Sequence, residues 1–340
     1  MIEKKTLSNI LQFKNGKKRP TEIGTVPVYG GNGILGYANA GNGKECIIIG
    51  RVGAYCGSVY YEKNDCWISD NAIGAYAKDN TDTVYAYYLL KSQHLNERRI
   101  GTSQPLLTQE ILNNIEVPIL SYNEQIKVGR FLGKIDEKIE LNTKINENLA
   151  DQAQAIYQQY FLADANPDWP LGHLSDLIDV KYGKDHKKLA DGAYPVFGSG
   201  GIMRYVERPL YEKESVLIPR KGTLNNVMYV NQPFWSVDTM FYTEMKQANV
   251  AKFVYHYVKS KDLASMNAGS AVPSMTTAIL NAMELRIPSA DALLQFENSV
   301  APMYEMINQS EDQSHKLAEL RDSLLPKLMS GEIDVTSIDL

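Results

Sequence analysis

A chain of 340 residues with 44% hydrophobic and 22% charged side chains has enough apolar material for ordinary buried cores, and its length suggests about two domains. It contains no run of about 18 apolar residues, and the polar start Met1 to Lys5 does not resemble a signal peptide, so we expect a cytoplasmic protein. The 3 cysteines are odd in number and the 5 histidines are scattered. This pattern predicts buried reduced thiols and argues against a metal site.

The net charge of −5 is unevenly distributed along the chain. Residues 1–60 carry eight Lys/Arg and three Glu, residues 181–230 carry nine Lys/Arg and five Asp/Glu, and residues 301–340 carry three Lys/Arg and eight Asp/Glu. Two basic regions and an acidic end indicate domains that face a phosphate backbone and helices that face something else. Ordinary solvated surfaces remain the alternative explanation.

The first domain, residues 1–121, is predicted to have an α+β fold. Short β-rich runs separated by Gly/Asn turns precede helical segments at Thr83 to Ser92 and Leu107 to Asn114, and a strand at Glu116 to Leu120 closes the domain. The β-rich runs are Val26 to Tyr29, Glu45 to Ile49, Val59 to Tyr61 and Ile73 to Tyr76. This order predicts a twisted, mostly antiparallel sheet.

Residues 122–162 are predicted to form one long amphipathic helix. Apolar residues recur in steps of three and four from Tyr122 to about Tyr160 without a proline. At ~1.5 Å per residue such a helix is roughly 55 Å long, which is typical of a coiled-coil spacer. Its polar middle, Asn142 to Asn148, would fix the register of a partner helix.

The same arrangement occurs a second time, about 168 residues later in the chain. The repeat predicts a second domain at residues 163–289 and a second long helix with a tail at residues 290–340. Pro302 should kink this helix or delay its start. The positions assigned to the coiled-coil core of the two helices are Ile135, Ile139, Leu149, Ile156, Ile307, Leu317 and Leu324. The repeated residues include Gly16 and Gly183, Gly30 and Gly198, Trp67 and Trp235, Gly101 and Gly269, and Pro105 and Pro273.

The two copies share residues that fix turns and packing, and they differ in polar loops. Val52 to Tyr55 corresponds to Lys221 to Leu224, and Thr102 to Gln104 corresponds to Ser270 to Val272. One scaffold that displays two different sets of loops is suited to reading two different, spaced targets.

No catalytic motif is convincing. Gly31 to Gly36 matches the G-x-G-x-x-G pattern, but the following residues do not form the helix that a dinucleotide site needs. Asn166 to Trp169 is similar to the Asn-Pro-Pro-aromatic motif of adenine methyltransferases, but Asp168 replaces a proline and the segment is a linker. We therefore predict a chain that is noncatalytic on its own.

The chain resembles the specificity subunit of type I restriction-modification enzymes over nearly its whole length. The most specific marks are Gly101 to Thr108, Ile111 to Pro118, Asn123 to Gln125 at the start of the first long helix, and Leu320 to Ile333 at the end of the second. The second copy lacks the Asn-Glu-Gln step and has Ser289 to Asp291 instead.

The resemblance implies two tandem α/β target-recognition domains, separated by two long antiparallel helices that form a coiled coil. Each domain would read one half of a bipartite, asymmetric DNA target. The helices would dock two methyltransferase subunits, and restriction subunits would join the complex. This chain would bind no cofactor, because S-adenosylmethionine, ATP and Mg would belong to the partner subunits.

Basic side chains are predicted to contact phosphates, and side chains that hydrogen-bond to base edges are predicted to read sequence. The predicted phosphate contacts are Lys17, Lys18, Arg19, Lys184, Lys187 and Lys188. The predicted base readers are Arg51, Tyr55, Ser103 and Gln104 in the first domain, and Arg220, Lys221, Thr223 and Asn225 in the second. Two alternatives remain: a self-contained DNA methyltransferase or nuclease with a diverged site, and a protein-binding adaptor that does not contact DNA.

Overall fold

The structure is a computed structural model, and it describes residues 3–101, 105–266 and 274–335. The chain forms two compact units, which we call unit 1 (residues 1–144 and 310–340) and unit 2 (residues 145–309). Each unit therefore combines one globular part with one half of each long helix. We call the globular parts head 1 (residues 3–121) and head 2 (residues 163–289).

Head 1 consists of strands with three short helices. In chain order its elements are β1 (Glu3–Thr6), α1 (Leu7–Ile10), β2 (Leu11–Asn15), β3 (Val26–Gly30), β4 (Gly33–Ala38), β5 (Gly43–Gly50), β6 (Val59–Ile68), β7 (Ala72–Ala77), α2 (Thr83–Lys91), α3 (Gln109–Asn113) and β8 (Glu116–Ile119). Six of the strands form one sheet in the order β2-β7-β5-β6-β3-β4, and β1 pairs with β8. Strand β4 is therefore an edge strand.

The core of head 1 lies between this sheet and the helices. Ile47 and Ile49 on β5 are fully buried and belong to one apolar cluster with Tyr85 and Leu89 of α2. They face the helices because alternate residues of a strand point to the same side of the sheet. Asp82 caps α2 by accepting a hydrogen bond from the Tyr85 backbone N–H at 2.7 Å.

Head 2 repeats this order, but two short strands take the place of the long strand β6. Its elements are β9 (Leu171–His173), α5 (Leu174–Leu177), β10 (Ile178–Tyr182), β11 (Tyr194–Gly198), β12 (Gly201–Val206), β13 (Ser215–Pro219), β14 (Met228–Val230), β15 (Trp235–Ser236), β16 (Met240–Met245), α6 (Ala251–Lys259), α7 (Thr277–Asn281) and β17 (Glu284–Arg286). They form a sheet β10-β16-β13-β14, a sheet β12-β11-β15 and a pair β17-β9. Strand β12, like β4, is an edge strand.

A glycine is required at the same backbone crossing in both heads. A Cβ atom on Gly16 would lie 1.9 Å from the Ser69 carbonyl oxygen, and one on Gly183 would lie 2.0 Å from the Val237 carbonyl oxygen. Any larger residue would have to push the backbone apart, which explains why the repeat retains glycine here.

The long helices are α4 (Tyr122–Gln158), which continues into one turn of π-helix at Gln159–Ala163, and α8 (Ala290–Met329). Ser121 begins α4 with a capping interaction, because its N–H and hydroxyl both donate to the Glu124 carboxylate, at 2.8 and 2.6 Å. Ser289 caps α8 in the same place, accepting from the Ala292 N–H at 3.2 Å. Pro302 does not delay α8, which begins at Ala290.

The two long helices run antiparallel within each unit. In unit 1, Asp136 of α4 contacts Arg321 of α8, and six residues further along α4 Asn142 contacts Ser314, which precedes Arg321 in α8. In unit 2, the Asn146 side-chain amide donates a hydrogen bond to the Ile307 carbonyl, and the Tyr157 ring contacts the Phe296 ring. From the first contact to the second, α4 runs forward in the sequence while α8 runs backward. This confirms the antiparallel pair that the resemblance implies.

Several smaller sequence predictions can also be checked. The 3 cysteines, Cys46, Cys56 and Cys66, are free and buried, as predicted. Gly33 onward forms strand β4 of a hairpin, so the G-x-G-x-x-G stretch has none of the geometry of a dinucleotide site. The sequence pattern did not predict strand β4 or its counterpart β12, because glycines and exposed side chains such as theirs are typical of turns. Within the described residues, no helix is both long enough and apolar enough to span a membrane.

Candidate nucleic-acid interface

In head 1, the loop that carries the predicted base readers Arg51 and Tyr55 lies beside described residues of two other loops. Arg51 follows β5, and Tyr55 lies in a short 3-10 turn at Gly53–Tyr55. The Leu107 N–H donates to the Arg51 carbonyl at 2.9 Å, and the Gly53 N–H donates to the Pro105 carbonyl at 3.1 Å. These bonds hold the 51–55 loop beside residues 105–107, which follow Ser103 and Gln104 in the chain. Ser103 and Gln104 themselves lie outside the described residues.

The tip of the β3–β4 hairpin is the third of these loops. The Gly31 carbonyl accepts hydrogen bonds from the Ser58 hydroxyl at 2.5 Å and from the Tyr60 hydroxyl at 3.3 Å. The hairpin tip is thereby fixed against the turn that carries Tyr55, whose side chain is 53% exposed. An exposed tyrosine on a braced loop is suited to contact a ligand, because the backbone of the loop need not be ordered on binding.

Head 2 brings together the equivalent three loops. The Met275 N–H donates to the Arg220 carbonyl at 2.9 Å, and Lys221 pairs with Ser274, so the 220–225 loop lies beside the end of the 266–274 loop. The Asn226 side chain donates to the Ser199 carbonyl of the hairpin tip at 2.8 Å. The side chains of Lys221 and Thr223 are exposed.

The two arginines at equivalent positions are held differently. Arg51 is half-buried, and no group within the described residues pairs with its buried Nε. The Arg220 guanidinium lies 5.4 Å from the ring centre of Tyr182 and donates to the Asp238 carbonyl at 3.2 Å. Ring stacking leaves the outer edge of a guanidinium able to pair with a base, so Arg220 is preoriented for such a contact.

Asn225 has a second role that the sequence did not reveal. Its Nδ2 donates to the Asp262 carboxylate at 3.1 Å, and its Oδ1 accepts from the Ala264 N–H at 2.9 Å. The bond from Asn225 contributes most to lowering the pKa of Asp262. Both ends of the amide therefore brace the following loop, and Asn225 would have to give up one of these bonds to read a base.

The predicted phosphate contacts lie in the loops after β2 and β10. Their backbone is fixed by a repeated pair of bonds: Trp67 Nε1 donates to the Lys17 carbonyl at 3.2 Å, and Trp235 Nε1 donates to the Lys184 carbonyl at 2.8 Å. The six basic side chains of these loops are all exposed: Lys17, Lys18, Arg19, Lys184, Lys187 and Lys188. Fixed backbone with exposed cations fits sequence-independent phosphate contact.

The helix positions assigned to a coiled-coil core all face protein to some degree. Ile135 is buried, and the others are half-buried, namely Ile139, Leu149, Ile156, Ile307, Leu317 and Leu324. Leu324 packs against the core of unit 1, and Ile156 packs against the core of unit 2. The helix pair therefore shares its core with the head that it carries.

Each head is attached to the helix pair by polar contacts that the sequence did not reveal. In unit 1 the Tyr88 hydroxyl of α2 donates to Asp136 at 2.6 Å, and Arg321 of α8 donates to the same carboxylate at 2.5 Å. In unit 2 the buried His256 of α6 lies 2.8 Å from the Gln154 amide oxygen and 2.8 Å from the Tyr304 hydroxyl. Burial, with a smaller effect from Lys259, lowers the pKa of His256 to about 3.

These anchors occupy equivalent positions in the two copies. An offset of 168 relates Tyr88 to His256 and Asp136 to Tyr304, and an offset of 167 relates Gln154 to Arg321. The residue types differ at each position, so the sequence repeat gave no signal there. Aligning the two copies and asking which polar residues fall on the apolar side of each helix could have found them.

The described residues offer little for catalysis. No three His, Cys, Asp or Glu side chains among them are placed to hold a metal ion. An apolar pocket of about 340 Å³ in unit 2 is lined by rings including Tyr157, Phe161 and Trp169. Its guanidinium, Arg286, already donates to the Pro167 and Trp169 carbonyls, at 2.7 and 2.9 Å.

Comparisons with known proteins agree with this reading of the fold. A family model described as the type I restriction modification DNA specificity domain matches residues 2–151 and again residues 166–298. The chain is 24% identical to the type I restriction enzyme MjaIX specificity subunit of Methanocaldococcus jannaschii, over 83% of this chain and 76% of that protein. It is 32% identical to the type I restriction enzyme HindI specificity subunit of Haemophilus influenzae, over 70% of this chain and 73% of that protein.

A solved structure has the same fold. The crystal structure of a type I restriction-modification system S subunit from M. genitalium superposes with a TM-score of 0.67 at 21% identity, covering 97% of this chain and 96% of that one. The family model matches both halves of the chain, in agreement with the duplicated heads and helices. This chain therefore belongs to the family of type I restriction-modification DNA specificity subunits.

Proposed function

We propose that each head reads one half of a bipartite, asymmetric DNA target, and that the chain directs a methyltransferase to adenines in that target. In this proposal the chain is noncatalytic on its own. The helix pair sets the number of unread base pairs between the half-sites and docks two methyltransferase subunits, which restriction subunits join. S-adenosylmethionine, ATP and Mg would be bound by those partners.

The observation that carries this proposal is the meeting of the same three loops in both heads with different side chains. After the shared arginines Arg51 and Arg220 the side chains differ, because Val52, Ala54 and Tyr55 of head 1 correspond to Lys221, Thr223 and Leu224 of head 2. The backbone bond from Leu107 to Arg51 is repeated as the bond from Met275 to Arg220. Side chains that differ on a repeated frame are expected where two heads read two sequences. Exposed lysines beside them would supply the sequence-independent part of the affinity.

The decisive experiment is to map methylated adenines in cells with and without this gene. We expect one split motif that disappears with the gene. Arg220→Ala should then relax one base of one half-site, with a loss of about 1 to 3 kcal/mol in discrimination, because a bidentate Arg–guanine contact is worth that much. Arg208→Ala is the matched control, because it removes an exposed arginine of head 2 that is not among the predicted base readers or phosphate contacts.

Three results would contradict parts of the proposal. An equal loss of binding to every sequence in Arg220→Ala would remove its base-reading role. Methyl transfer or DNA cleavage by the purified chain alone, given S-adenosylmethionine or Mg²⁺, would favour a self-contained enzyme instead. Failure of the chain to bind DNA in a salt-dependent way with its methyltransferase present would favour a protein-binding adaptor.

A further inference from the structure

The second strand of the hairpin, β4 in head 1 and β12 in head 2, exposes apolar side chains at matching positions. We call these side chains the hairpin strip. It consists of Ile34 (49% exposed), Leu35 (45%) and Tyr37 (50%) in head 1, and of Ile202 (50%), Met203 (60%) and Tyr205 (38%) in head 2. Single exposed apolar residues are common on protein surfaces, but a contiguous set that occurs twice indicates a contact surface.

A β-bulge shapes the strip in the same way in both heads. The register shifts between Val28 and Tyr29 opposite β4, and between Val196 and Phe197 opposite β12, which makes Leu35 and Met203 the extra residues. A Cβ on Gly30 would lie 2.5 Å from Leu35 Cδ1, and one on Gly198 would lie 2.5 Å from Met203 Sδ. The bulge thus turns each side chain over a glycine beside the hairpin tip, and bulges that redirect side chains are typical of functional edges.

In both heads an arginine joins the loop of predicted phosphate contacts, which we call the basic loop, to the second strand of the hairpin. The arginine belongs to the loop in head 1 and to the strand in head 2. In head 1, Arg19 of the loop donates to the Leu35 carbonyl of the strand at 3.2 Å. In head 2, Arg204 of the strand donates to the Leu189 carbonyl of the loop at 3.0 Å. Gly36 is the counterpart of Arg204, and a Cβ there would lie 2.5 Å from the Arg19 guanidinium. The guanidinium therefore lies against the same strand position in each head, although different elements supply it.

The strip consequently lies between two surfaces that are predicted to contact DNA. The exposed lysines of the basic loop lie on one side, and the hairpin tip at the other end contacts the loop of predicted base readers. Its residues are the same or similar in both heads, although the reading loops differ. A partner that is the same for both heads, and negatively charged beside the lysines, fits better than any particular base sequence.

We propose that the hairpin strip of each head packs against the deoxyribose–phosphate backbone next to the bases which that head reads. This inference rests on the proposed function and adds a contact that fixes position without reading sequence. The apolar side chains would cover the C–H faces of the sugars, and the neighbouring lysines would pair with the phosphates. Backbone contacts set register and affinity equally on every sequence, which explains why the strip is repeated while the loops vary.

The test uses the full chain in complex with its methyltransferase, and a double variant Ile34→Ser and Ile202→Ser. Binding is measured to a random-sequence duplex and to a duplex of equal length that contains the mapped motif. We expect both affinities to fall by the same factor, about tenfold, through loss of apolar contact in both heads. The salt dependence of binding and the methylated motif in cells should be unchanged, because no charge and no base contact is removed.

Two control variants make the result specific. Leu171→Ser removes an apolar side chain that is 76% exposed on β9, outside the strip, and should leave both affinities unchanged. Ile34→Val with Ile202→Val keeps the strip apolar and should bind within about twofold of the unmodified chain.

Three outcomes would overturn the inference: a loss confined to the motif duplex, unchanged binding in the serine variant, or intact DNA binding with failure to assemble with the methyltransferase. The last outcome would assign the strip to a partner protein. Absence of any motif or of DNA binding in the unmodified chain would instead refute the proposed function, so the two failures are distinguishable.

Discussion

The two heads are attached to their halves of the helix pair at equivalent positions by different chemistry. Head 1 uses a charged network, in which Asp136 accepts from both Tyr88 and Arg321. Head 2 uses a neutral one, in which His256 is placed between Gln154 and Tyr304. Duplication preserved the geometry of the attachment and not its residues, because a buried polar position needs a hydrogen-bonded partner more than it needs a particular one.

The difference extends to a second pair of positions. Head 2 has an ion pair between Lys252 and Glu297, at 2.5 Å, with side chains only 7% and 20% exposed. The matching positions in unit 1 are Val84 and Gly129, where a Cβ on the glycine would lie 2.7 Å from the Asp82 carboxylate. In unit 1, α4 thus packs closely at Gly129 against the start of α2, whereas unit 2 buries two charged side chains at the same place.

The largest expected effect comes from breaking this ion pair. Lys252→Met should lower the free energy of unfolding by about 3 to 5 kcal/mol, because it leaves the Glu297 carboxylate buried without its partner. It also removes the contacts of the ammonium with the rings of Tyr229 and Tyr304. The measurement is urea denaturation followed by circular dichroism.

The control for that variant is the double change Lys252→Met and Glu297→Leu. It should recover most of the loss, since an apolar pair of similar volume replaces a buried ion pair at little cost. A double variant as unstable as the single one would show that packing, and not the uncompensated charge, dominates.

A smaller effect is expected from pH. Because the pKa of His256 is about 3 in the folded protein and near 6.5 when unfolded, the unfolded state takes up the proton first as the pH falls. The stability contribution of the neutral imidazole is full above about pH 6.5 and is lost toward pH 3, which amounts to about 2 kcal/mol between pH 7 and pH 5.

His256→Gln should abolish that part of the pH dependence, while Tyr88→Phe at the matching position of head 1 should leave it in place. The measurement is the urea midpoint at a series of pH values for each variant. Parallel pH profiles for His256→Gln and the unmodified chain would contradict the assignment.

The smallest effect separates the charged anchor from the neutral one directly. Tyr88→Phe removes a bond to a carboxylate and should cost about 2 kcal/mol, whereas Tyr304→Phe removes a bond to a neutral imidazole and should cost about 1 kcal/mol. Both changes delete one hydroxyl from a buried ring, so their difference isolates the charge of the acceptor. Equal costs in thermal denaturation would show that the two networks are energetically equivalent.

Several features of the fold were predictable because they depend on local pattern. The steps of three and four from Tyr122 onward predict α4, which ends at Gln158, and the same pattern predicts α8. Strand runs such as Glu45 to Ile49 were also found, within β5. Strands β4 and β12 were not, because an edge strand with a bulge and two exposed faces lacks the alternation that marks a strand.

The candidate site was predictable only in part. The sequence indicated which loops differ between the copies, and the structure places the loops of each head together through backbone bonds such as Leu107 to Arg51. The sequence gave no sign that both ends of the Asn225 amide bond to a neighbouring loop. Those bonds go to Asp262 and Ala264, which are near Asn225 only in the folded chain.

The sequence by itself determined the duplication and the positions and lengths of the two long helices, since these follow from the repeat and from the periodicity of apolar residues. Only the tertiary structure decided that each compact unit takes half of both helices, and which side chains join each head to them. Two copies of one pattern offer nearly equal local signals for every pairing. The choice among pairings is made by contacts between distant residues, such as Asp136 with Arg321, which a local pattern does not encode.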